Sequence, residues 1–184
     1  PDLGTAIIIL TLGLIAIFYA GINLIYPLLS LIVLGLASPF LWTLLKPYQQ
    51  NRVMIFLNPD LDPLGKGYHI IQSKIAIGSG GIRGNGFLGG SQSSLDFLPE
   101  KETDFVFAIF SEQFGFTGSM IILGLFLLFF LVPILKSFSL TQVFNKLILF
   151  VLSFKIFFEF LINISMTIGL VPVVGVALPF MSYG

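Results

Sequence analysis

Residues 98–105 read Leu-Pro-Glu-Lys-Glu-Thr-Asp-Phe, which gathers the carboxylates of Glu100, Glu102 and Asp104 and the ammonium of Lys101 into one short stretch. Asp104 differs from the other two acids because an apolar run, Phe105 to Phe110, follows it directly. A carboxylate at such a boundary is partly dehydrated and takes up a proton more readily, which suits a general base. The same position is where Thr or Asp commonly caps a helix, so an N-cap at Thr103 or Asp104 is the alternative. Glu100 and Glu102 read as solvated loop charges. Glu112, near the start of the next apolar segment, reads as a complement to its dipole.

Lys66, Lys74, Arg83 and Lys101 supply cations on the same stretch. A diphosphate ligand needs such partners or a divalent ion, although each of them also fits an ordinary surface position. Gly78-Ser79-Gly80-Gly81 offers main-chain N–H groups but lacks the lysine and hydroxyl of a P-loop. His69 is the single histidine and cysteine is absent, which excludes disulfides, thiolate metal sites and a histidine-rich centre. Nine basic and nine acidic residues cancel, so no long-range field recruits nucleic acid.

The elements that must position these groups are dictated by composition. With 56% hydrophobic residues, 10% charged and 21 phenylalanines, most of the chain faces lipid. Four apolar spans are predicted, at about 3–20, 24–45, 115–135 and 147–168, each able to cross roughly 30 Å of hydrocarbon. Trp42 and Tyr48 read as interfacial anchors at the end of the second, and Pro47 as its stop. The fold class is therefore all-α and polytopic, one partial membrane domain over residues 1–184 that reads as cut at both ends.

Residues 46–113 form a polar loop, with an amphipathic helix predicted over 68–77 and a bent backbone through the glycine run 78–90. Lys136 and Lys146 flank a short linker with no acid between them, which places that linker on the cytoplasmic side and the long loop outside. In the fourth span Lys155, Glu159 and Asn163 recur every four residues and are expected on one inward face. They form either a buried structural ion pair or the lining of a polar groove. The tail, 171–184, reads as an irregular outer hairpin.

The runs at 67–81 and 97–105, the opening Pro1-Asp2-Leu3-Gly4-Thr5, and the closing Asn163, Gly169, Pro172, Gly175, Ser182, Tyr183 and Gly184 together resemble the SEDS family. The run at 71–81 favours its RodA branch over FtsW. That resemblance implies a roughly ten-helix fold of which these spans are the sixth to ninth, in a bacterial cytoplasmic (inner) membrane, with a large extracytoplasmic loop carrying short helices. It implies an inverting glycosyltransferase that polymerises lipid II into β-1,4 glycan during cell elongation, with Asp104 as the essential carboxylate. Gln72, Ser73, Lys74, Arg83, Glu100, Lys101 and Glu112 follow as candidate substrate contacts, with Mg or Mn as a candidate ion and no organic cofactor. The implied partners are a class B penicillin-binding protein and the elongation complex. Two departures stand out: Arg83-Gly84-Asn85-Gly86 replaces the frequent Trp-Gly-Lys-Gly, and Glu112-Gln113 replaces a frequent Glu-Glu. The rival readings are a lipid II flippase and a non-catalytic scaffold.

Overall fold

The computed structural model describes residues 3–21, 23, 25–62, 65–87, 89–90 and 103–183. Among them every regular element is a helix: α1 Leu3–Tyr19, α2 Ile25–Leu44, α3 Pro47–Leu57, a 3-10 turn Pro59–Leu61, α4 Lys66–Ser79, α5 Val106–Ser139 and α6 Val143–Thr167. Helices are what lipid demands, because every main-chain polar group must find its partner inside the segment. The sequence meets that demand even where it is locally awkward. Pro39 lies inside α2 and has no N–H for the carbonyl of Gly35, and the Ser38 hydroxyl donates to that carbonyl instead, at 2.7 Å.

Among the described residues, α5 and α6 are long and apolar enough to cross a membrane, and α1 is a shorter apolar helix. The 20 residues of α2 carry no charge and reach on the order of 30 Å. At 34 residues α5 is longer than a bilayer core needs, and it is interrupted at Gly115. The segment expected to begin at 115 is thus the second part of a longer element.

The predicted loop contains more structure than its sequence suggested. The helix expected over 68–77 runs Lys66–Ser79, and α3 was not expected at all. Pro47 does not merely stop α2. It is the first residue of α3, where its missing N–H costs nothing. Gln50 Nε2 donates back to the Trp42 carbonyl at 2.8 Å, tying the two helix ends into a corner.

Packing is ordered around α6. It lies along α5 and α1, while α4 rests on both α5 and α6. Rings mesh along the α5–α6 seam, with Phe130 stacked on Phe157 at 4.1 Å and Phe126 on Phe160 at 4.3 Å. At the other end of α6, Tyr19 of α1 stacks on Phe150 at 3.8 Å. A compact core of Ile55, Ile70, Ala76, Phe105, Ala108, Met166 and Val173 joins α3, α4, the start of α5, the end of α6 and the tail, and this core carries the site.

Candidate active site

The glycine run and the interruption of α5 are one structure. Breaking a helix at Gly115 strands four groups that would have bonded each other: the carbonyls of Glu112 and Gln113 and the N–H groups of Phe116 and Thr117. All four find partners in the run after α4. Asn85 N–H and Gly86 N–H donate to the Glu112 and Gln113 carbonyls at 3.0 Å each, while Phe116 and Thr117 donate to the carbonyls of Gly81 at 2.8 Å and Ile82 at 3.1 Å. Gly115 has φ +66°, a conformation that costs a residue with a Cβ. A Cβ there would also sit 2.7 Å from the Ile82 carbonyl oxygen.

On α4, Ile70, Ser73 and Ala76 recur at three-residue spacing and are buried. Ser73 Oγ donates to the Thr167 carbonyl at 2.7 Å, which fixes α4 on the last turn of α6. That turn ends in a Schellman motif: Leu170 N–H reaches Ser165 O at 2.7 Å, Gly169 N–H reaches Met166 O at 3.1 Å, and Gly169 takes φ +74°. Lys74 lies over Gly169.

Asp104 occupies the turn immediately before α5. Phe105, not Thr103 or Asp104, is the N-cap of that helix, and no side chain caps it. Phe105 is 1% exposed, and hiding it from water is worth roughly 2–3 kcal/mol towards holding the turn down. From α6, Asn163 Nδ2 donates to the Asp104 carbonyl at 3.0 Å and to the Val176 carbonyl at 2.7 Å. Ser182 Oγ donates to the Thr103 carbonyl at 2.5 Å and accepts from Leu178 N–H at 2.8 Å. The tail is thereby brought across the Asp104 turn, and a Cβ at Gly175 would lie 3.7 Å from Asp104 Oδ2.

Beside this turn a groove of about 390 Å³ runs between α1, α3, α6 and the tail, lined by Ile7, Val53, Ile162, Val171, Pro172 and Val174, with Gln49 and Arg52 as its polar members. Arg52 Nη1 donates to the Val174 carbonyl at 3.4 Å, one residue from Gly175. The tail thus joins the Asp104 turn, met at Gly175, to an apolar channel that carries a guanidinium, met at Val174. That combination fits a ligand with a lipid chain and an anionic head group.

The FtsW/RodA/SpoVE model, described as cell cycle protein, matches residues 1–184. This chain belongs to the FtsW/RodA/SpoVE family. It is 44% identical over 185 residues to the peptidoglycan glycosyltransferase MrdB of Escherichia coli K12, covering all of this chain and 50% of that protein. It is 49% identical over 140 residues to the peptidoglycan glycosyltransferase RodA of Treponema pallidum, covering 76% of this chain and 32% of that one. Stage V sporulation protein E of Bacillus subtilis is 39% identical over 184 residues. A solved structure described as "Structural coordination of polymerization and crosslinking by a peptidoglycan synthase complex" superposes with a TM-score of 0.78 at 36% identity, covering 100% of this chain and 50% of that one. The chain spans about half the length of the FtsW/RodA/SpoVE proteins it matches over its full extent.

In this FtsW/RodA/SpoVE chain, Asp104, Asn163, Gly175 and Ser182 converge, and Lys74 meets Gly169. Pro172 lines the groove and Tyr183 is exposed. Gln72 is half-buried and Arg83 is exposed on the glycine run. Ser73 is wholly buried with its hydroxyl committed to Thr167, so its position serves packing. Glu112 is 0% exposed and lies against Gly90, so it is not the solvated dipole partner expected near a helix start: the helix begins six residues earlier, at Val106. Glu100, Lys101 and Gly184 lie outside the described residues.

The single inward face expected for Lys155, Glu159 and Asn163 is corrected. Lys155 Nζ and Glu159 Oε1 pair at 2.6 Å, but the lysine side chain is 46% exposed while Asn163 is fully buried. Two steps of four residues turn a helix by about 80°, which carries Lys155 away from Asn163, while Glu159, one step and about 40° away, stays nearer to it. Arg52 and Gln49 escaped the sequence reading because they stand in a segment taken for loop. An isolated arginine just after a membrane span was the available signal. Among the described residues no three His, Cys, Asp or Glu side chains group as metal ligands, and no step below passes through a metal.

Proposed function

We propose that this chain carries the catalytic face of a peptidoglycan glycosyltransferase that polymerises lipid II, with Asp104 as its general base. The observation that carries the reading is the Asp104 turn, fastened by Asn163 and Ser182 beside an apolar groove bearing Arg52. The names of the relatives, MrdB and RodA peptidoglycan glycosyltransferases, point the same way.

In this reaction the 4-hydroxyl oxygen of an acceptor GlcNAc attacks the anomeric carbon of a donor MurNAc. The bond from that carbon to the diphosphate breaks, its electron pair leaves with undecaprenyl diphosphate, and the Asp104 carboxylate takes the hydroxyl proton. A β-1,4 bond forms with inversion. Arg52 binds the diphosphate of the donor, and the groove holds the first part of the polyprenyl chain. A lipid-anchored donor never has to leave the membrane for this to happen.

On this proposal the protein lies in the bacterial inner membrane with residues 46–113 outside and works with a class B penicillin-binding protein; the likeness to a peptidoglycan synthase complex supports such a partner. A flippase would need a polar track along α6, and of Lys155, Glu159 and Asn163 the lysine is largely exposed while Asn163 is fully buried. Purified full-length protein, assayed with lipid II with and without its partner, should polymerise glycan. Asp104→Asn should abolish product while folding and partner binding persist; undiminished glycan from that variant would end the proposal.

A further inference from the structure

We infer that Asn163 is the positioning residue for Asp104, setting where the carboxylate points by gripping the main chain on both sides of the site. The inference rests on the glycosyltransferase reading of Asp104 and deepens it.

Asn163 is wholly buried on α6, and both donations of its amide leave the helix: one goes to the carbonyl of Asp104 itself and one to Val176 in the tail. These acceptors lie 59 and 13 residues away in sequence, so one amide ties together two segments that nothing local would align. Holding the Asp104 carbonyl limits how far its Cα can shift, and so where the carboxylate stands. On the other side, fixing Val176 fixes Gly175, whose missing Cβ leaves the space beside Oδ2. Ser182 repeats the device one residue earlier, at the Thr103 carbonyl.

A residue present only to pack helices would be satisfied or apolar. Asn163 is neither, because among the described residues its buried Oδ1 has no hydrogen-bond partner. The fold tolerates an orphaned acceptor here in order to keep two donors in a fixed fork. A base that must meet an incoming hydroxyl at hydrogen-bond distance loses rate when its backbone is free to swing by an ångström, while substrate affinity, set by the groove, is retained.

The test uses the full-length protein and purified lipid II. Asn163→Leu keeps the branched outline, with somewhat more volume, and removes both donors. Expected is a kcat at least tenfold lower per folded molecule, with KM within about twofold of wild type and unchanged elution as a monodisperse protein. A wild-type kcat per folded molecule, or a loss confined to KM, overturns the inference. Should Asn163→Leu not fold, Ser182→Ala decides, with the same split at about threefold in kcat expected and an unchanged kcat overturning it. Asp104→Asn run in parallel separates the two ideas: full activity there sinks Asp104 as the general base, whereas an inactive Asp104→Asn beside a fully active Asn163→Leu sinks only the positioning role.

Discussion

The ammonium of Lys74 lies against the bare Cα of Gly169, so that a Cβ built there would come 2.6 Å from Nζ and 3.4 Å from Ile70 Cγ2. The glycine is doubly required, since its φ of +74° also closes the Schellman motif that ends α6. Gly169→Ala is therefore expected to cost about 1–3 kcal/mol, through left-handed strain and a displaced lysine. A thermal unfolding measurement on the detergent-purified full-length protein checks this, with a lowered Tm expected and an unchanged one contradicting it.

The junction between the glycine run and α5 predicts a coupled pair. A Cβ on Gly84 would strike the Gln113 carbonyl, and one on Gly115 would strike the main chain of residues 82–84. Each alanine substitution alone is expected to cost about 2 kcal/mol or more, and the double variant clearly less than the sum, because the first change already opens the shared contact. A double-mutant cycle on unfolding free energy measures it. Strict additivity would mean that the two sites do not share the junction.

Arg52 should matter for affinity more than for turnover. Its bond to the Val174 carbonyl is long at 3.4 Å, so Arg52→Ala leaves stability close to wild type. KM for lipid II is expected to rise about tenfold with kcat within about threefold, and Arg52→Lys to recover part of the loss, since a lysine keeps the charge but not the planar fork. Steady-state polymerisation kinetics decide between this and a purely structural arginine, for which Tm would fall and KM would not move.

Lys155 and Glu159 form an exposed pair one helical turn apart, worth about 0.3–0.5 kcal/mol. Glu159→Gln is accordingly expected to leave both Tm and polymerisation near wild type. A lipid II transport assay on the same variant gives the contrasting outcome, since a flippase that depended on this pair would lose activity.

Much of this arrangement was legible from residue order because it follows from local rules. Apolar runs announced α1, α2 and α6, whose observed bounds fall within a few residues of the predicted spans. The amphipathic pattern announced α4, and the change from polar to apolar at Asp104 announced the start of a helix close by. The misses share one cause. α3 was hidden because a proline after a span reads as a stop, and only the corner bond from Gln50 to Trp42 reveals it as a start. The break in α5 reads as the beginning of a hydrophobic run, since nothing near Gly115 says that its orphaned groups are completed by residues 81–86.

Composition and periodicity by themselves settled that this chain is helical and lipid-embedded, and motif order settled its kinship, because both properties are carried by neighbours along the chain. Which side chains meet was decided only by tertiary packing. Asn163 finds Asp104 across 59 residues and Ser73 finds Thr167 across 94. Contacts at such separations depend on how whole helices dock and on where glycine lets two backbones touch, a geometry that no window of sequence contains.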